Sequence, residues 1–150
     1  MKVVKHFAGI LLLLALTLCL YSCIGPVPVD VVMIDNELYF VLEEEREIAA
    51  IQVQVYNPKQ GKTDGETMWA TSHNLATKVD ERKYPKLKQI KYGQVFSEFP
   101  QAIGPAPLKR NVAYWIGINM GDRFAREVFI ITDDNHIVMP RRKNKAESAK

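Results

Sequence analysis

The chain has 150 residues, 47% hydrophobic and 25% charged, which suits one packed domain and excludes an intrinsically disordered chain. Its formal net charge of +3 comes from the two ends: Lys2 and Lys5 at the start, and Arg141, Arg142, Lys143, Lys145 and Lys150 against Glu147 at the finish. Acidic residues outnumber basic ones in between, so the body lacks the basic face that nucleic-acid binding requires.

Residues 1–22 read as an export signal: two lysines, an unbroken apolar run from Phe7 to Leu20, and a small residue, Ser22, before the cut. A helix over Phe7 to Leu20 is roughly 21 Å long, short of the ~30 Å hydrocarbon core that a spanning helix must cross. Leu20 and Ser22 do not supply the pair of small residues at an ordinary secretory cleavage site. Instead, Leu20-Tyr21-Ser22-Cys23 resembles a bacterial lipobox. That resemblance implies cleavage before Cys23 and a diacylglyceryl group on its thiol. Ile24, where aspartate would retain such a lipoprotein at the inner membrane, implies sorting to the periplasmic face of the outer membrane. Two acyl chains on one cysteine anchor durably, whereas one binds reversibly. Cys19 leaves with the signal, so no disulfide can form and the exported domain depends on its apolar core.

Cys23 to Pro28 is a short tether kept extended by Pro26 and Pro28. The domain proper spans residues 29–140. Val29 to Ile34 and Glu37 to Leu42 are strand-type runs around the turn formers Asp35-Asn36, which predicts a hairpin. The acidic segment Glu43, Glu44, Glu45 and Glu47, with Arg46 inside it, breaks the second run and reads as a loop. Ile48 to Tyr56 alternates Ile51, Val53 and Val55 with Gln52 and Gln54, the period of a half-buried antiparallel strand. Asn57 to Gly65 is dense in turn formers and predicts a loop, followed by a short strand from Thr67 to Ser72. His73 to Lys86 has no clear period and is either a long loop or a marginal helix over residues 74–83. Leu87 to Tyr92 is strand-like, and the prolines between Gln94 and Leu108 keep that segment out of a central strand. Val112 to Asn119, Glu127 to Thr132 and His136 to Met139 complete the strands, with turns at Met120-Gly121-Asp122 and Asp133-Asp134-Asn135. Glu127 to Thr132 is apolar on both faces and therefore central. Residues 141–150 read as a disordered basic tail.

About seven to eight short strands with turn signals between them predict an antiparallel β-sandwich of immunoglobulin-like type, with a barrel as the runner-up. Trp69, Ile90-Lys91-Tyr92-Gly93, Phe99-Pro100-Gln101, Pro107-Leu108 and Tyr114 together resemble a loose group of small proteobacterial lipoproteins, some described as type VI secretion immunity lipoproteins. The resemblance spans Ile48 to Met139. It implies a periplasmic protein-binding role and carries no catalytic residues.

The residues themselves point away from catalysis. Ser72 and His73 are neighbours on one strand and so face opposite ways, and no Gly-x-Ser-x-Gly elbow occurs. His73 and His136, without cysteines, match no zinc spacing. Asp133-Asp134-Asn135 offers calcium-type oxygens but lacks the rest of an EF-hand and is more simply a hairpin turn. No glycine-rich phosphate cradle is present, and no cofactor is expected. Three candidate partner surfaces remain: the acidic segment, the proline-rich loop from Gln94 to Leu108, and Trp115. Glu43, Glu44, Glu45 and Glu47 would suit a basic partner, or would simply blunt a sheet edge. Trp115 alternates with Ala113, Gly117 and Asn119; it marks a binding surface if that face is solvated, and is core if a second layer or the proline loop covers it. The role expected is a lipid-anchored binding module, in the form of an immunity protein or of an envelope assembly lipoprotein.

Overall fold

The computed structural model describes residues 25–73 and 76–142, without the side chains of Asp64 and Gln101. The export signal read over residues 1–22, the lipidation site Cys23 and residues 143–150 of the basic tail lie outside these. The described residues form nine strands: β1 (Val29–Ile34), β2 (Glu37–Glu47), β3 (Ala50–Asn57), β4 (Lys62–Ser72), β5 (Lys86–Lys91), β6 (Gln101–Ile103), β7 (Ala113–Asn119), β8 (Phe124–Ile131) and β9 (Ile137–Val138). β1, β2 and β5 make one sheet, and the other runs β6-β4-β3-β7-β8-β9. All paired strands are antiparallel and neither sheet closes into a barrel.

This is the predicted sandwich, and its order is that of an immunoglobulin domain. There the strands named A, B and E share one sheet while C, F and G share the other, with C′ beside C in variable-type domains. Here β1, β2 and β5 stand as A, B and E, and β3, β7 and β8 as C, F and G. β4 occupies the C′ position, and β6 and β9 are edge additions. Tyr114, second in β7, makes the corner that such domains carry at the start of strand F: its phenol oxygen accepts a hydrogen bond from the Lys109 amide at 2.8 Å.

Local chemistry explains the elements. Asp35 and Asn36 both adopt positive φ, 51° and 63°, as the tight β1–β2 turn requires. In β3, Ile51 and Val53 are fully buried while Gln52 and Gln54 face outward. Just before β3 the chain changes sheets in two residues: buried Ile48 donates its amide to Pro85 O and Ala49 to Asn119 O. Between the sheets, Phe40 meets Phe129 edge-on at 5.8 Å, and Phe129 lies against Tyr114 at 5.7 Å. Trp69 packs edge-on against Tyr92, whose hydroxyl donates to Ala106 O at 2.7 Å. Gly93, at φ +76°, admits Pro105 where a Cβ would sit 2.8 Å from its ring. Tyr92 and Gly93 thus fasten the proline-rich segment beside Trp69.

Several boundaries differ from expectation. β2 runs on through the acidic segment to Glu47. β4 begins at Lys62, inside the stretch read as loop, because register shifts against β3 and a positive φ at Gly65 take up the turn-forming residues. Asn57 alone organises the turn, its Oδ1 accepting the amides of Lys59 and Gln60. Among the described residues after His73 and before β5 the one helical element is a 3-10 turn, Val79–Glu81, and the proline-rich segment contributes only the edge strand β6. At the C-terminus, Arg141 and Arg142, counted above with the tail, continue a helical turn from Pro140. Arg142 donates from Nε to Glu127 at 2.9 Å and from Nη2 to Val29 O at 2.8 Å, and it pairs with Asp30. Glu127 is the one buried carboxylate among the described residues, so Arg142 both neutralises it and ties β8 to β1.

Two outcomes follow. Arg142→Met should cost about 1–3 kcal/mol in urea unfolding by stranding the Glu127 charge, and adding Glu127→Gln should recover part of it. Burial, and then the neighbouring Tyr114, push the Tyr92 phenol up to about 12 from 10.0. The unfolded chain therefore loses that proton first, and stability should fall as pH rises from 10 toward 12 while holding below 10. Tyr92→Phe should remove part of this alkaline slope in pH-dependent urea titrations.

Candidate functional site

The acidic segment is a strand, not a loop. Pairing of β2 with β5 jumps from Val41↔Gln89 to Arg46↔Leu87, so residues 42–45 bulge out of register. Leu42 keeps its place in the core, while Glu43, Glu44, Glu45 and Glu47 are exposed. Alternation fails here because of the bulge, and the strand continues through backbone pairing alone. Arg46 pairs with Glu44, and Lys86 Nζ lies 3.6 Å from Glu47. The negative charge is thus partly answered from within its own sheet, and the geometry is that of a charged, bulged strand that resists edge pairing.

Trp115 lies on the outer face of the larger sheet, with Gln54 of β3 and Val128 of β8 as its cross-strand neighbours. Its support comes from that same face. The indole stacks on Phe124 at 5.9 Å and 26°, and it lies over Gly117, where an added Cβ would fall 2.1 Å from the ring. Glycine is required here for space, since its backbone is not in the left-handed region. Trp115 is half-buried and Phe124 is 40% exposed, so the pair forms an aromatic shelf reachable from solvent. Gln52 and Gln54 line the next strand, their side-chain amides both directed at Thr67 Oγ1, at 3.5 and 3.2 Å. Rigid stacked rings beside orientable amides make a contact surface of low entropic cost.

At the far end of the sandwich, Met33, Asn36, Leu38, Tyr92, Leu108 and Arg110 are among the residues lining an open cleft of about 320 Å³. Glu37 at its rim is held below the usual carboxylate range, first by the hydrogen bond from Lys91 and then by that from Tyr39.

The groups weighed for catalysis are engaged elsewhere. Ser72 Oγ donates to His73 O, and His73 Nδ1 sits 3.2 Å from Ala49 O, so the two side chains do not pair. His136 contacts Asp134 at 2.6 Å in the β8–β9 turn. Hydrogen bonds from Thr132 and then His136 hold the Asp134 carboxyl at about 2. Asp133 accepts from Asn111 Nδ2 at 2.9 Å. Among the described residues no cluster of His, Cys, Asp and Glu is placed to hold a metal ion, and no helix is long and apolar enough to cross a membrane.

Compared with protein-family models, with curated proteins and with solved structures, the chain matches none.

Gly117→Ala should tip Trp115 off its seat. The expected result is red-shifted emission and stronger acrylamide quenching, since Trp69 stays buried, with an overpacking cost of about 1–3 kcal/mol. Unchanged quenching would mean that the shelf does not depend on Gly117.

Proposed function

We propose that this chain is a lipid-anchored, non-catalytic protein-binding module of the bacterial envelope, held at the periplasmic face of the outer membrane through acylated Cys23. The observation that carries the binding role is the Trp115–Phe124 shelf, a stacked aromatic pair left accessible on a sheet face beside the amides of Gln52 and Gln54. An apolar surface of that kind, fixed on rigid strands, suits a protein partner better than a small ligand. The anchor rests on the lipobox-like Leu20-Tyr21-Ser22-Cys23. Within this class, immunity against a secreted toxin is the role that the resemblance to immunity lipoproteins supports. Such a role needs only a stable scaffold that masks a toxin surface. Envelope assembly is the competing role.

Radiolabelled palmitate should enter the wild-type protein and not Cys23→Ser. Cross-linked purification from envelopes should yield one stoichiometric partner, bound about 30-fold more weakly by Trp115→Ser, the loss expected of an interface hot spot. A deletion strain should be killed by toxin-bearing siblings and rescued by the wild type but not by Trp115→Ser. An envelope defect in cells never exposed to a rival would assign the chain to assembly instead.

A further inference from the structure

The way the N-terminal segment is fastened determines which part of the domain meets the membrane, given the anchored reading above. Val27 pairs with Ala125 in a parallel bridge and donates its amide to Phe124 O at 3.0 Å. The chain is therefore fixed to the start of β8 four residues after Cys23. Four residues reach at most ~14 Å when fully extended, so the fastening point lies within that distance of the Cys23 backbone, one short side chain from the acylated sulfur. The headgroup layer of a bilayer is itself several ångströms deep, which leaves almost no gap between it and this end of the sandwich. β8 then rises away from the fastening point for roughly 23 Å at ~3.3 Å per residue.

Gly25 and Pro26 line one side of a cleft whose other side is Asp122, Arg123, Phe124 and Arg126. Arg123 and Arg126 are exposed, and neither makes an ion pair among the described residues. A planar guanidinium binds phosphate oxygens in a fork, and these two flank the path that leads to the anchor. We infer that the end of the domain formed by Gly25, Pro26 and the β7–β8 turn lies against the phospholipid headgroups, with Arg123 and Arg126 on lipid phosphates. Glu45, Glu47 and Lys86 border the same turn through Met120 and Asp122, so the charge of this end is mixed. Tether length, more than charge, sets the orientation. Two consequences follow for the binding role. The acidic part of β2 faces lipid and is not the surface offered to a periplasmic protein. The β1–β2 and β3–β4 turns and the cleft beside Arg110 point into the periplasm, with the Trp115 shelf on the flank.

The test uses the full lipidated chain in vesicles of phosphatidylethanolamine and phosphatidylglycerol doped with headgroup-nitroxide lipid. Two variants, Arg123→Cys and Lys59→Cys in the β3–β4 turn, each carry a thiol-linked fluorophore. The expected result is loss of most fluorescence at position 123 and retention at position 59. Equal quenching at both sites, or the reverse order, on protein that floats with the vesicles would overturn the orientation while leaving the anchored reading intact. Protein that does not float, and takes up no palmitate, would overturn the anchored reading and this inference together.

Discussion

The packing of the two sheets on each other, centred on the edge-on contact of Phe40 with Phe129, is what the rest of the domain depends on. Immunoglobulin domains of antibody type place a disulfide between strands B and F at the centre of the sandwich. This chain has no cysteine after Cys23, and aromatic packing takes that place, with Phe40 on β2 reaching Phe129 on β8, which in turn lies against Tyr114 on β7. An aromatic pair contributes about 0.5–1.5 kcal/mol beyond the area it buries, less than the 2–5 kcal/mol typical of a native disulfide in a small secreted domain. One pair is therefore insufficient. Trp69, Ile51, Val53, Ile116 and Ile118, all buried to 1% exposure or less, each add about 1.5–3 kcal/mol when fully buried. The core is extended, and it makes the missing cross-link unnecessary.

Polar devices at the periphery then fix how the sheets are trimmed. The Tyr114 corner pins the chain entering β7, and Tyr92 pins the proline-rich segment to the strand bearing Trp69. Arg142 reaches back from the last turn to Glu127, Asp30 and Val29 O, crossing from one sheet to the other. A buried glutamate is costly without a counter-charge, so the sandwich tolerates Glu127 only because the chain continues past β9. This trimming concerns the interior and the edges. It leaves the outer face of β3, β7 and β8 free to carry the aromatic shelf.

What was legible in the sequence was whatever local chemistry decides. Asp35-Asn36 announced a tight turn because few residue pairs tolerate positive φ twice, and Gln52 and Gln54 announced a solvated face because period two has one reading. Glu43 to Glu47 misled because a bulged, exposed half-strand is held by backbone pairing, and its side chains carry no hydrophobic period. Lys62 to Gly65 misled for a related reason, since turn-forming residues can be absorbed in a register shift. Arg142 was invisible as a structural residue because its partners lie more than 100 positions earlier as well as on β8. The same limit applies to the candidate site. Alternation placed Trp115 opposite Tyr114, but only the β7–β8 register brings Phe124 under its ring, and only the missing side chain of Gly117 lets the ring lie flat.

A short tether changes what a rigid binding face can do. A module on a long flexible linker samples all orientations, and its face meets a partner at an effective concentration that falls as the linker lengthens. Here the parallel bridge at Val27 removes nearly all slack between the proposed anchor and β8. On that anchor the domain would not tumble freely above a surface only a few residues away, and part of the ordering entropy that a partner must overcome would already be spent in folding. On that proposed anchor the Trp115 shelf would be carried within a narrow range of heights, along the side of the sandwich. A partner diffusing in the periplasm would meet it from one direction, so that a small aromatic surface can discriminate by geometry as well as by contact.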